Sequence, residues 1–450
     1  MYTLTSKLKL FAIIFMVVGA IGIISGFLTT PSSIKEVKEM LDTNHDDSHN
    51  IGKTQNENHK NVIGSHDGNK EEAHDDEAHY EHVLQQMQNR PWAAIYVATF
   101  FFFIIVLGVL TFYAIQYASQ AGWSPVLFRV MEGITAYLPI ITAILFILLL
   151  LSGVFNMNHM FSWMNPDLVN PDSPDYDKII AEKSGWLNVP FFLIRAAFYM
   201  LGWNLYRYLS RRNSIRDDNA EDNRWFKKNF KLSAGFLVFY IVTESMMSWD
   251  WIMSLDPHWY STLYGWYIFA GMMVCGITVI ALVTIVLKSQ GYLEFVNDSH
   301  IHDLAKYMFG FSIFWTYLWF SQFMLIWYAN IPEEVVYFVT RVEDFKLPFF
   351  GMVVMNFVFP VLLLMNSDYK RVNWFVVLTG IVILAGHYID VFVMVIPATV
   401  GTSWFIGIPE IGSLLFLFGL FVYVVFTALT KAPLLVKNNP FIKESKQYRY

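Results

Sequence analysis

The sequence predicts an all-α integral membrane protein that crosses the bilayer as ten transmembrane helices. Composition is the first observation behind that fold class. Of 450 residues, 55% are hydrophobic and 15% charged, whereas soluble domains carry about 25% charged residues. Distribution is the second: the apolar residues fall in long uninterrupted runs, and a bilayer core needs roughly 20 of them per helix. The third is the aromatic content, 18% of the chain, dense at the ends of those runs where membrane interfaces favour it. A net charge of −6 with no basic excess argues against nucleic acid as a partner. The single cysteine, Cys275, excludes an internal disulfide, a cysteine-ligated iron–sulfur cluster and a CxxCH haem site. Any redox centre therefore needs other ligands or another subunit.

Ten runs meet the length criterion: 8–28, 92–117, 134–155, 186–209, 230–252, 261–287, 305–329, 347–365, 373–396 and 409–429. Lys7 and Lys9 precede the first, in the manner of a signal peptide. Its apolar stretch continues to Leu28, however, and Thr29-Thr30-Pro31 is a poor cleavage site, so a retained helix over 1–28 is expected. Pro91 bounds the second run and Pro397 follows the ninth. Pro139, Pro190 and Pro360 fall inside runs, where a helix bundle tolerates them and kinks are expected.

Between the first two runs, 29–91 is a different kind of sequence. It is rich in His, Asp, Asn, Glu and Lys and nearly free of large apolar residues, so it cannot bury a core of its own. Seven of the twelve histidines lie there, with His74, His79 and His82 among Asp75, Asp76, Glu77 and Glu81. Imidazole and carboxylate together suggest metal capture. The lack of a fixed ligand spacing favours a solvated outer loop that orders against a neighbour.

Orientation follows from lysine and arginine. With the N-terminus inside, twenty of them fall on the inner side and ten on the outer, six of those ten in the long first loop; Arg195 alone is left in the membrane. The run Arg207, Arg211, Arg212, Arg216, Arg224, Lys227, Lys228, Lys231 is the strongest vote and suits a cytoplasmic segment gripping anionic lipid headgroups. Both termini, including the tail within 397–450, are expected in the cytoplasm.

Ionisable groups within spans cost about 2.5–3.5 kcal/mol on insertion scales and default to functional candidates. Here they are Arg195, Glu244, Asp250, His387 and Asp390. If the fourth span enters at Trp186, Arg195 lies roughly 14 Å below the outer surface. Glu244, counted from Lys231, lies roughly 10 Å from the same side, so the two are expected to pair. Asp250 is about 120° around the helix from Glu244 and shares no face with it. His387 and Asp390, at i and i+3, are neighbours on one face. Two interpretations stand. All five form an outward-facing proton half-channel, for which a His–Asp pair is suited near neutral pH, or they are buried ion pairs and hydrogen bonds that pin the bundle.

A dihaem cytochrome b needs four deep histidines, and only His387 is deep; His159 and His258 fall at loop edges. No P-loop, zinc-helix or Rossmann glycine pattern occurs, and Cys275 reads as a small packing residue. Trp249, Trp251, Trp259, Trp266, Trp315, Trp319 and Trp327 read mostly as belt or packing residues, with a minority interpretation as the lining of a slot for a quinone ring or tail.

Three stretches go beyond a generic membrane protein: Gly185-Trp186-Leu187-Asn188-Val189-Pro190-Phe191-Phe192 running on to Arg195, SWDWIMSLDPHWYSTLYGWYIFAG at 248–271, and FWTYLWFSQFMLIWYANIPEE at 314–334. Together they resemble the F subunit of bacterial alternative complex III, a quinol:cytochrome c oxidoreductase unrelated to the cytochrome bc complex, within the polysulfide-reductase-like (NrfD-like) membrane family. The resemblance covers roughly 90–430. It implies two four-helix bundles, 92–252 and 253–396, with one flanking helix at each end. It also implies a bacterial inner-membrane subunit that binds no cofactor of its own. Menaquinol or ubiquinol, c-type haem and iron–sulfur clusters would sit in partners: a homologous quinol-binding membrane subunit, an iron–sulfur subunit, a multihaem cytochrome c and a terminal oxidase. The implied role is scaffolding with proton conduction, carried by Glu244, Asp250, Arg195, His387 and Asp390. Two other functions stay open, the quinol-binding subunit itself and a proton-coupled secondary transporter, although a transporter usually shows inverted repeats and midplane charges.

Overall fold

The computed structural model describes residues 2–40, 71–402 and 404–449, with side chains from 80 onward in the second stretch. The metal-capture hypothesis for His74 and His79 therefore lies outside the described side chains. In chain order the long helices are α1 (Ser6–Leu28), α2 (Glu71–Ala118), α3 (Pro125–Gly153), α4 (Val189–Asp217), α5 (Arg224–Trp251), α6 (Tyr264–Ser289), α7 (Asp298–Ala329), α8 (Lys346–Leu364), α9 (Asn373–Thr399) and α10 (Ile408–Leu429). Among the described residues all regular structure is helical, and nine helices are long and apolar enough to cross a membrane. The one predicted span not among these nine, 186–209, corresponds to α4. At 29 residues it would reach about 43 Å, but Arg195, Arg207, Arg211, Arg212 and Arg216 leave it short of the apolarity of the rest.

Helices α2 and α6 form the core. In the most apolar stretch of α2, 94% of residues are buried, and 89% in α6. Neither shows a polar stripe, as expected of helices surrounded by others. They cross backbone to backbone where Gly108 faces Met272 and Gly276 faces Gly108. A Cβ on Gly108 would lie 2.1 Å from the Met272 carbonyl oxygen, and one on Gly276 would lie 2.8 Å from the Gly108 carbonyl carbon. Helices α3, α5, α9 and α10 pack around α2; α5, α7 and α9 pack around α6.

The first helix is a packed element. Its buried residues are Ala12, Gly19, Gly22 and Gly26, and it lies against α10, where a Cβ on Gly22 would stand 2.9 Å from the Gly412 Cα. Small residues let helices approach closely in a membrane. The remaining faces of α1 expose Leu10, Ile14, Val17, Val18 and Ile21.

Three sequence expectations are corrected. First, Pro91 and Pro397 do not bound helices; both lie inside them. The turn before Pro91 is held from outside, since Asn89 Nδ2 donates to the Thr399 carbonyl at 3.2 Å and Arg90 bonds Glu410 at 2.9 Å. The polar 29–91 segment thus ends as helix, not loop. Second, Pro190 makes no kink, because it sits in the first turn of α4, where its missing N–H costs nothing. Pro360 follows a π-helical turn over Val354–Val358. Third, Arg195 is not the only cation drawn into the bundle. Arg129 is buried, donating to Glu132 at 2.7 Å and also to Asp218, and Glu132 takes a further bond from Tyr113 at 2.9 Å and one from Arg211. Part of the basic run thus points inward to neutralise a buried carboxylate, a partner hidden because Glu132 reads as a loop residue in sequence.

Candidate functional site

Two polar clusters and one isolated carboxyl hold the five predicted residues. The first cluster forms where the chain enters α4. Residues 186–188 are not helical; Asn188 caps the helix by accepting from the Phe191 N–H at 3.0 Å. Trp186 consequently folds back over the helix start. Its indole donates to Asp250 at 2.8 Å, and its carbonyl accepts from Arg195 at 3.1 Å. Arg195 in turn holds Asp250 through Nε and Nη2, both at 2.8 Å, and Tyr199 donates to the same carboxylate at 3.3 Å. The guanidinium lies 4.1 Å from the Trp186 ring centroid and 4.2 Å from that of Phe191.

The expected Arg195–Glu244 pair is therefore corrected to Arg195–Asp250. Because α4 begins at Val189, Arg195 is only about 9 Å along the helix, level with the end of α5, where Asp250 sits, and above Glu244. With four donors around it, Asp250 is satisfied as a buried charge should be.

Glu244 stands apart from both clusters. It is 3% exposed, the adjacent Ser245 hydroxyl donates to its Oε2 at 3.4 Å, and its Oε1 has no hydrogen-bond partner among the described residues. It faces a cavity of about 180 Å³.

The second cluster is centred on Asp390 of α9. Tyr267 of α6 donates to Oδ1, Trp315 of α7 donates to Oδ2 at 3.0 Å, and His387 Nδ1 lies 3.3 Å from Oδ2. The predicted i,i+3 neighbours do meet. Among the described residues no lysine or arginine is bonded to this carboxylate, and the far ring nitrogen of His387, Nε2, has no partner. Beside Asp390 lies a cavity of about 20 Å³, lined also by Tyr264, Tyr267, Trp319, Gln322 and Arg341, which is room for a single water. Arg341 Nε, Gln322 Nε2 and Trp319 Nε1 are buried there without partners.

Arg341 and Gln322 were missed from sequence. Arg341 is carried by the short helix Pro332–Glu343, which is too short to span a bilayer. It nonetheless buries the arginine, which donates to the Tyr337 carbonyl at 2.7 Å. The only signal available was the Pro-Glu-Glu start of an amphipathic helix. Gln322 is uncharged and lost in an aromatic run.

The tryptophans divide as physical chemistry suggests. Trp251 packs against Phe103 and Trp203, and Trp327 is exposed. Trp249 and Trp259 line a cavity of about 410 Å³ with Trp186 and Tyr260. Among the described residues no group of three His, Cys, Asp or Glu side chains is placed to hold a metal. No protein-family model matches the chain, and no curated protein sequence does either.

Proposed function

We propose that this chain is an integral membrane subunit of a respiratory quinol:cytochrome c oxidoreductase of the alternative complex III type, and that its Asp390 cluster serves proton exchange with the outer side. In this reading all ten long helices cross the bacterial inner membrane, with the arginine-rich end of α4 and both termini in the cytoplasm, and 92–252 and 253–396 form two four-helix bundles. Redox groups, quinol included, belong to the partner subunits.

One observation carries the proton-exchange role. Asp390 is bound by a phenol and an indole that donate to it and by an imidazole whose role follows its tautomer, and it borders a water-sized cavity lined by orphaned donors. A carboxyl with no lysine or arginine hydrogen-bonded to it changes protonation state more readily than one locked in a direct ion pair, and Arg341 lines the same small cavity as a positive charge for the ionised form. His387 beside it offers a second acceptor for the same proton. The Arg195–Asp250 pair has the opposite character and acts as a fastener between α4 and α5. The proton-exchange interpretation thus applies to His387 and Asp390 and the structural interpretation to Arg195 and Asp250, while Glu244 belongs to neither pair.

The test is solubilisation of native membranes in mild detergent, followed by affinity isolation of the tagged full-length chain. Co-isolation of subunits carrying c-type haem and iron–sulfur clusters is expected. A lone protein that transports solute in liposomes would overturn the assignment in favour of a transporter.

A further inference from the structure

The aromatic cavity of about 410 Å³ at the ends of α4 and α5 has no part in the Asp390 cluster, yet it is built from fixed parts. Asp177 caps the short helix Lys178–Lys183 and bonds His258 at 2.6 Å. From the end of that helix Lys183 donates to the Pro257 carbonyl. The two loops that enclose the space are therefore tied together at two points.

Three indoles and a phenol line it: Trp186, Trp249, Trp259 and Tyr260. Arg195 already covers Trp186 at 4.1 Å, and Tyr337 stacks on Trp259 at 3.8 Å, so each of those rings has one face occupied. Trp249 has neither a ring nor a cation partner among the described residues. Of the other polar side chains on the wall, Ser254 is spent on the Asp250 carbonyl. Lys183 uses one donor on Pro257 and lies 5.7 Å from the Tyr260 ring centroid, which leaves it donors to spare. Glu182 beside it is exposed and makes no hydrogen bond or ion pair among the described residues.

The cavity thus offers aromatic surface and a carboxylate to a cation, and an ammonium to an anion, from adjacent positions of one helix. Aromatic rings attract organic ammonium groups through their quadrupole. Lys183 would repel a simple cation and Glu182 a simple anion, whereas a ligand carrying both charges a short link apart satisfies the two together. Depth narrows the ligand further. Trp249 is in the last turn of α5 and Trp186 lies just before α4, at the ends opposite the arginine-rich segment. Tryptophan and tyrosine at such ends mark the lipid headgroup layer. Tyr260, 58% exposed, and Trp186, 38% exposed, form the open rim.

We propose that this cavity binds the headgroup of a zwitterionic phospholipid, with the ammonium between Trp249 and the Glu182 carboxylate and the phosphate at Lys183. The assignment rests on α5 crossing the bilayer and holds whether or not the chain belongs to a respiratory complex.

Native mass spectrometry of the full-length protein in detergent, with any subunits that accompany it, tests the assignment. The probes are dioctanoyl-phosphatidylethanolamine and, lacking the ammonium, dioctanoyl-phosphatidylglycerol. The ethanolamine lipid is expected to bind about ten-fold more tightly, and a diazirine analogue of it should leave adducts on 182–187 and 249–260. Glu182→Gln, at an exposed side chain with no partner to lose, and Trp249→Leu should each remove most of that preference without weakening phosphatidylglycerol. Glycerophosphoethanolamine, the same headgroup without acyl chains, should fail to displace the lipid at equal concentration. Equal binding of the two lipids by the unaltered protein, an unchanged preference in Glu182→Gln, adducts confined to other segments, or displacement by the deacylated headgroup would each overturn the proposal.

Discussion

Arg195 and Asp250 meet side-on, Nε and Nη2 each 2.8 Å from one oxygen of the carboxylate, with Trp186 closing the third side. This fork-on-fork geometry is the strong form of a buried ion pair. It joins the second turn of α4 to the last turn of α5.

Breaking that pair should be costly in a specific way. Asp250→Ala strands a guanidinium in the bundle and is expected to destabilise the protein by about 3–5 kcal/mol, read as a lowered thermal midpoint in detergent. Arg195→Lys should recover little, because an ammonium cannot fill the bidentate site. Reversal of Arg195 and Glu244 together should show no mutual rescue. Recovery in that double variant would mean that the two side chains interact after all.

Asp390→Asn, examined in an intact complex, is expected to lower the number of protons moved per electron while quinol oxidation continues. The amide retains the size of the side chain but cannot carry the proton. Tyr267→Phe should produce a smaller effect in the same direction, because it removes one of three hydrogen-bond partners. An unchanged ratio in both variants would reduce the cluster to a packing role.

Outside the spans, Asp177 and His258 join the two loops at the end opposite the arginine-rich segment, with a contact of 2.6 Å. Partial burial raises the Asp177 carboxyl, but the His258 bond and the Ile180 and Ile179 N–H groups outweigh it, and the net position is below the ordinary carboxylate value of 3.8. The folded protein therefore releases this proton more readily than the unfolded chain. The contribution is present above that ordinary value and is lost as pH falls through the lower, folded one. Proteolytic cutting within 166–178 should rise on acidification below that ordinary value, and Asp177→Asn should show the raised cutting already at neutral pH.

Gly22→Val or Gly412→Val should separate α1 from α10. Each would place a branched side chain where less than 3 Å is available to the partner's Cα. Overpacking of this kind costs about 1–3 kcal/mol, and loss of α1 packing would appear as protease access to the 29–40 segment. An unaltered digestion pattern would indicate that α1 packs elsewhere in the membrane.

Much of this was legible in sequence because bilayers impose a simple rule on length and hydropathy. The runs at 92–117, 261–287 and 373–396 correspond to α2, α6 and α9, and the His387–Asp390 contact follows from helical spacing alone. What sequence concealed was tertiary. The level of Arg195 depended on three residues, Trp186 to Asn188, being a capped turn instead of a helix start. Burial of Glu132 and Arg129 depended on the basic segment turning inward. Arg341 enters the Asp390 neighbourhood because Pro332–Glu343 folds against the bundle, a placement no local pattern encodes, and Gln322 comes from a buried face of α7.

The crossing at Gly108 and Gly276 constrains how the molecule can move. Main chain rests on main chain there, with no long side chain to act as a bearing between α2 and α6. Alternating-access rocking about this seam would demand that two tightly seated backbones part and reseat in every cycle. A central strut of this kind suits a frame that stays still while protons and small side-chain rotations carry the traffic.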